Sequence, residues 1–558
     1  MSERLLGFLV FTSGFIFGSW LIGFRNLNPY SIEWLQGDAR LAQIGYEFFW
    51  RSPWAQFPFN STPKFGLGWK TGLNQSSQNS LVPVLFKPIA QHSSGGFQFQ
   101  GIWIATSYGL HALVGFRIFS HLALVRHQQL LGAAFLVLSP ALFSRIGTLL
   151  HPQLAAHWMI LLSILMYMKR SRVALWLPLV MASISVHVYI SVIVIVVAVA
   201  CSLARTLDNH EGDRRANIGP HLVLELLTLT ATVVSSLYLL GFGAFFGNPS
   251  TYGVGTYRTN VLAFFNPAKE SYGWLMGQFA FFQDRQWLSE ENEGFLYLGL
   301  GTILSIVVFG VLTLKKYLIS RKQDLWMWVA SALLFMVAVS NNVAVGSREI
   351  SIPLAASIQE FRQVFRAAPR FAWLLYYLLM IYGWWTVAVF AKTMSLRFVR
   401  LSIPWCIALI QIVDVGPGIV ALQHQNNAKA LSISSHLDPQ WGELLGDYSR
   451  IFIVPVVDAN EDDVPMSDEQ RAWFYDGTLL ELAWLASIND VALNYGFCSR
   501  SCMSEALQAT RRVRRELDGE VLDSRTIYIF STVEEWRKAS EGRQENALMI
   551  DGLFVLLG

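Results

Sequence analysis

Long apolar runs alternate along the chain with short basic connectors. A helix that crosses a bilayer needs roughly 20 apolar residues. The first such run is 5–24, and ten more follow at 101–120, 128–144, 152–168, 173–187, 188–204, 221–246, 297–314, 325–341, 371–391 and 401–417. The first run is too long for a signal-peptide core, and no small-residue cleavage site follows it, so it reads as an uncleaved anchor.

Connectors rich in Lys and Arg mark the cytoplasmic side. Arg4, Arg126, Lys169, Arg170, Arg172, Arg205, Arg214, Arg215, Lys315, Lys316, Arg321, Lys322, Lys392, Arg397 and Arg400 fall on one set of alternate connections. Basic segments flank 173–204 at both ends, so this stretch must cross twice, turning near His187 and Tyr189. The pattern predicts about eleven transmembrane helices, with the N-terminus cytoplasmic. The connections 25–100, 247–296 and 342–370, and everything after 418, then lie outside.

The polar tail has another rhythm. IFIVPVV, VALNYG, TIYIFS and ALMID are short strand-like runs, with helical stretches between them. Residues 418–558 are therefore expected to form a small extracytoplasmic α/β domain after a mostly α membrane domain, 1–417. Neither glycine-rich phosphate loop is present, so nucleotide binding has no support.

Composition agrees with the span pattern. Hydrophobic residues make up 53% and charged residues 15%, against about 25% charged in soluble chains. Mean hydropathy is +0.39. A soluble enzyme, a coiled coil and a disordered chain are excluded; the bilayer is the first partner. The net charge of +3 gives no argument for nucleic acid. Cys201 and Cys406 sit in apolar runs, whereas Cys498 and Cys502 are close together in the tail. A disulfide and two free thiols are both open for that pair, and an external tail favours the disulfide.

Chemistry is expected in the outer connections. The first carries Glu33, Asp38 and Glu47 among Trp34, Phe48, Phe49, Trp50, Trp54 and Phe57, a composition that suits amphipathic helices lying in the membrane interface. Asp38 follows Gly37 shortly after the first span and could face a cavity as a general base. Arg362, Arg366 and Arg370 recur every four residues and could clamp a phosphate, or bind lipid headgroups. Arg145, His151, His187, Tyr189 and Glu293 stand at outer span ends and are further substrate-binding candidates. His151 and His157 are not on one helical face and have no third ligand nearby, so no metal site is assigned. Asp414, near the outer end of the last run, is an intramembrane acid.

The segments GDARLAQIGYEFFWRSPW, FQFQGIW, LHPQLAAHW, NEGFLYLGLG, FRAAPRFAW and QIVDV follow one another in an order that resembles a family of uncharacterised bacterial polytopic membrane proteins allied to the C-type (GT-C) glycosyltransferases. Members of that superfamily use polyprenyl-phosphate-linked sugars at the outer face and carry an acid just after the first span. Asp38 matches that place, while Ala39 stands where many members have a second acid. The arginines after the ninth span resemble, by position, residues that hold the lipid phosphate. The resemblance implies an inner-membrane inverting glycosyltransferase acting on a cell-envelope acceptor, with Asp38 as catalytic base and a divalent metal left open as cofactor. A flippase for lipid-linked intermediates and a non-catalytic scaffold with an envelope-binding domain are the alternatives.

Overall fold

The computed structural model describes residues 2–67, 72–76, 79–93, 96–147, 150–208, 218–242, 257–267, 272–278, 293–313, 324–353, 365, 367–428, 437–454, 477–495, 508, 511–513, 515–519 and 522–558. The chain divides into two compact units. The first comprises Met1–Leu27, Gln100–Ser236 and Gly253–Ala428, and the second Asn28–Phe99, Leu237–Tyr252 and Lys429–Gly558.

Each of the eleven apolar runs coincides with helix in the described residues. Six helices are long and apolar enough to cross a membrane: Glu3–Ile22, Gln100–His121, Val188–Thr206, Gly219–Leu239, Ala368–Thr393 and Arg397–Asn427. A seventh crossing is possible if Arg126–Val137 and Pro140–Ile146, bent by 40° at Pro140, act together. Pro152–Met168, Val173–Val186, Leu300–Thr313 and Leu325–Val339 are apolar but shorter. The helices make this a multi-pass membrane protein, and six or seven of the eleven expected crossings have full-length helices among the described residues.

Glu3–Ile22 packs along Gln100–His121. Gly14 and Gly18 are four residues apart, so they share one helix face. A Cβ on Gly14 would lie 2.7 Å from the Tyr108 carbonyl oxygen, and one on Gly18 would lie 2.9 Å from the Tyr108 Cβ. Small residues let two backbones approach where lipid offers no hydrophobic drive between helices. Beyond the bundle, β1 (Asn342–Val345) and β2 (Arg348–Ser351) form an antiparallel hairpin, whose turn residue Gly346 has φ +61°.

The second unit is built on a five-stranded sheet. Its strands are β3 (Arg450–Val454), β4 (Ala492–Leu493), β5 (Thr526–Phe530), β6 (Ala547–Ile550) and β7 (Leu553–Leu557), in the order β4-β3-β5-β7-β6. β3 runs parallel to β4 and β5, and β7 antiparallel to β5 and β6.

Residues 28–99, read from sequence as a loop of the membrane domain, pack in this second unit. Leu493 N donates to the Lys64 carbonyl at 2.8 Å, and Leu67 N to the Leu493 carbonyl at 2.9 Å, so 64–67 extends the sheet past β4. Ile44, Phe48 and Phe65 share one core with Trp441, Ile451, Leu482 and Ile527. Helix Gly37–Arg51 thus packs into the core of this unit, with ten of its fifteen residues buried. Apolar side chains surround it because they cover a sheet, which the local pattern of the loop does not reveal.

Candidate functional site

Within the first unit, four segments distant in sequence meet around one carboxylate. Pro140 opens a single helical turn, and the 3-10 turn after it carries Arg145. His151 N donates to the Arg145 carbonyl at 2.8 Å, closing the loop between them. Leu150 in this loop has φ +38°. That conformation strains a side chain with a Cβ by about 1–3 kcal/mol and persists only where packing enforces it, and Leu150 is buried.

The second segment is the break between Val173–Val186 and Val188–Asp208, two helices that pack on one another. The break residue is His187, in extended conformation at φ −165°. Its Nδ1 lies 3.2 Å from the Tyr189 N–H, which can donate to it. The third segment is the turn Ala368–Ala372, where Pro369 precedes Arg370 at the start of helix Trp373–Thr393.

The fourth segment brings Glu293. Arg370 grips its carboxylate with both arms of the fork, Nε to Oε2 at 2.9 Å and Nη2 to Oε1 at 2.6 Å. Arg145 Nη1 donates to Oε2 at 3.1 Å, and its Nη2 to the Glu293 main-chain carbonyl at 3.1 Å. Arg370 Nη1 lies 3.4 Å from His187 Nε2. Burial disfavours charge on Glu293, but the Arg370 and Arg145 guanidinium groups outweigh it and hold the carboxyl well below the usual carboxylate range.

Aromatic faces hold the arginines in place. The Arg145 guanidinium lies 5.4 Å from the Trp373 ring centre and that of Arg370 4.9 Å from Tyr189. The Tyr189 hydroxyl accepts the Ala367 N–H at 2.9 Å, which ties the second segment to the third.

Glu293 is placed by its own downstream strand of chain. Tyr376 OH donates to the Tyr297 carbonyl at 3.0 Å, and Tyr297 OH donates to Asp414 Oδ2 at 2.6 Å. Asp414 also accepts the N–H groups of Leu275 at 3.0 Å, Met276 at 3.1 Å and Leu300 at 2.8 Å. The intramembrane acid is thus a staple between two loops and a helix start, with its oxygens engaged internally.

The structure brings together Arg145, His151, His187, Tyr189, Glu293 and Arg370. Arg362 and Arg366, and the pair Cys498 and Cys502, lie outside the described residues. Asp38 belongs to the second unit. It is half-buried in the first turn of Gly37–Arg51, where the helix dipole favours an acid.

In the same helix Glu47 is fully buried. It accepts the Phe97 N–H at 2.8 Å and pairs with Arg51, and burial pushes its carboxyl up despite that pair. Among the described residues no three His, Cys, Asp or Glu side chains gather as a metal site, so the donor set there does not fit a divalent cation. Trp373 was not singled out from the sequence. Its one signal is the i+3 spacing from Arg370, which puts both on one side of a helix start.

The chain belongs to the DUF6311 family, a domain of unknown function, whose model matches residues 10–416. The family's C-terminal domain matches residues 440–557. No curated protein matches significantly. Among solved structures the chain is similar to the archaeal oligosaccharyltransferase AglB from Archaeoglobus fulgidus, in complex with an inhibitory peptide and a dolichol-phosphate. That likeness has 10% identity and a TM-score of 0.43, covers 96% of this chain and 71% of the other, and carries no argument at that level.

Proposed function

We propose that this DUF6311 protein is a membrane-embedded glycosyltransferase that takes its sugar from a polyprenyl-phosphate donor and passes it to a cell-envelope acceptor at the outer face of the bacterial inner membrane. One observation supports the phosphate half of this reading above all. Arg145 and Arg370 converge on a single anion position, braced by Trp373 and Tyr189, with the His187 ring beside Arg370. A planar guanidinium fork matches the oxygens of phosphate as well as those of a carboxylate.

In the proposed reaction an acceptor hydroxyl oxygen attacks the anomeric carbon from the face opposite the phosphate. The carbon–oxygen bond to phosphate breaks, and configuration inverts. The polyprenyl phosphate leaves with the bonding electrons, and the two arginines meet the charge that develops on it. The hydroxyl proton goes to a base. Asp38 is the candidate for that role, on the position that the family resemblance gives it.

Two variants test the halves separately, with turnover of a radiolabelled polyprenyl-phosphate sugar in proteoliposomes and donor affinity measured on one preparation. Arg370→Ala should lower turnover by about 10²–10³-fold and weaken donor binding. Asp38→Asn should bind donor nearly as wild type and lose about 10²–10⁴-fold in turnover. Wild-type turnover in Asp38→Asn would remove the base assignment alone; absence of sugar release from the wild type would remove the transferase reading.

A further inference from the structure

We propose that the Glu293 carboxylate is a resident substitute for the ligand's phosphate: it holds the anion position between Arg145 and Arg370, and a phosphate ester binds by displacing it. The inference rests on the phosphate-clamp reading above and adds how that clamp is kept and opened.

Two guanidinium groups with side chains only 2% and 9% exposed face the same point. Without an anion between them, two buried like charges would be left uncompensated, which is strongly unfavourable. Glu293 supplies that anion, and its two oxygens take three arginine donors in the pattern phosphate oxygens would take.

Neither arginine is held by the Glu293 carboxylate alone. Trp373 backs Arg145 and Tyr189 backs Arg370, and Arg145 keeps its bond to the Glu293 main-chain carbonyl whatever the side chain does. Glu293 has the most exposed side chain of the three, at 14% against 9% for Arg370 and 2% for Arg145. A phosphate has more acceptor oxygens than a carboxylate and so can take more of the arginine donors at once. Charge that builds on the departing phosphate strengthens its hold against Glu293, the direction catalysis requires.

The test uses the full chain in nanodiscs with geranylgeranyl phosphate as probe and geranylgeraniol as the uncharged control. Glu293→Gln removes the competing charge and should tighten probe binding by about tenfold without tightening the alcohol. Glu293→Asp keeps the charge, shortens its reach, and should move affinity the same way by less, which covers the case in which Glu293→Gln fails to fold. Arg370→Ala should bind the probe no better than the alcohol. If both Glu293 variants bind the phosphate as wild type or more weakly, while wild type still prefers phosphate to alcohol, the substitute role is wrong and the clamp stands. If wild type and both variants bind phosphate and alcohol alike, the clamp falls and the substitute role with it.

Discussion

A carboxylate gripped by two guanidinium groups titrates unlike a free one, and Glu293 turns that into a stability signal. Its folded value lies below the usual 4.5, so the stability its charge contributes is present above that pH and is lost as pH falls through the lower folded value. The melting-temperature gap between wild type and Glu293→Gln should be level from about pH 8 to about pH 5 and close only below that. A gap that closes near neutral pH would mean that the carboxylate is not held by the arginines. At this scale the sequence offered candidates, because charged and aromatic side chains at span ends are conspicuous. It did not show their partners. Nothing near Arg145 in the chain points to Glu293, 148 residues on, and nothing near Asp414 points to the three N–H groups it accepts. Such pairs are settled by which helices neighbour each other in space.

Helices were the legible elements, since a run of about 20 apolar residues is its own signal. What the runs did not carry was how far each helix extends before a proline or a turn interrupts it, as at Pro140. Helix contacts were equally silent, although Gly14 and Gly18 mark one. Gly14→Val should force Glu3–Ile22 away from Gln100–His121 and cost about 1–3 kcal/mol, as overpacking does. Gly219→Ala is the control: a Cβ there meets nothing within 4 Å, and stability should hold or rise by about 0.4–1 kcal/mol through a less flexible unfolded chain. Thermal denaturation in one detergent compares the two. Equal melting temperatures would show that the glycine contact is not tight. The aromatic loop was the least legible element, because alternation of polar and apolar residues looks the same whether a helix covers lipid or a sheet.

For the whole molecule the open quantity is the number of crossings. The basic connectors require reporter fusions after residues 210 and 320 to read cytoplasmic and fusions after 275 and 440 to read external. A cytoplasmic reading at 440 would remove the eleven-crossing plan and the outer-face site together. The small α/β fold of the tail was legible in its strand-like runs, but its continuation into residues 28–99 was not, since β pairing between such distant segments leaves no local trace. That pairing has a consequence for the order of manufacture. Lys64 bonds Asp490, 426 residues later, and a ribosome adding about 5–20 residues per second needs roughly 20–85 s to cover that interval. During that time Phe48, Phe65 and Trp484's future neighbours emerge without the sheet that will cover them. The nascent protein thus holds an aromatic surface in waiting through most of its own synthesis, and the interval before its tail arrives is when it is most exposed to misassembly.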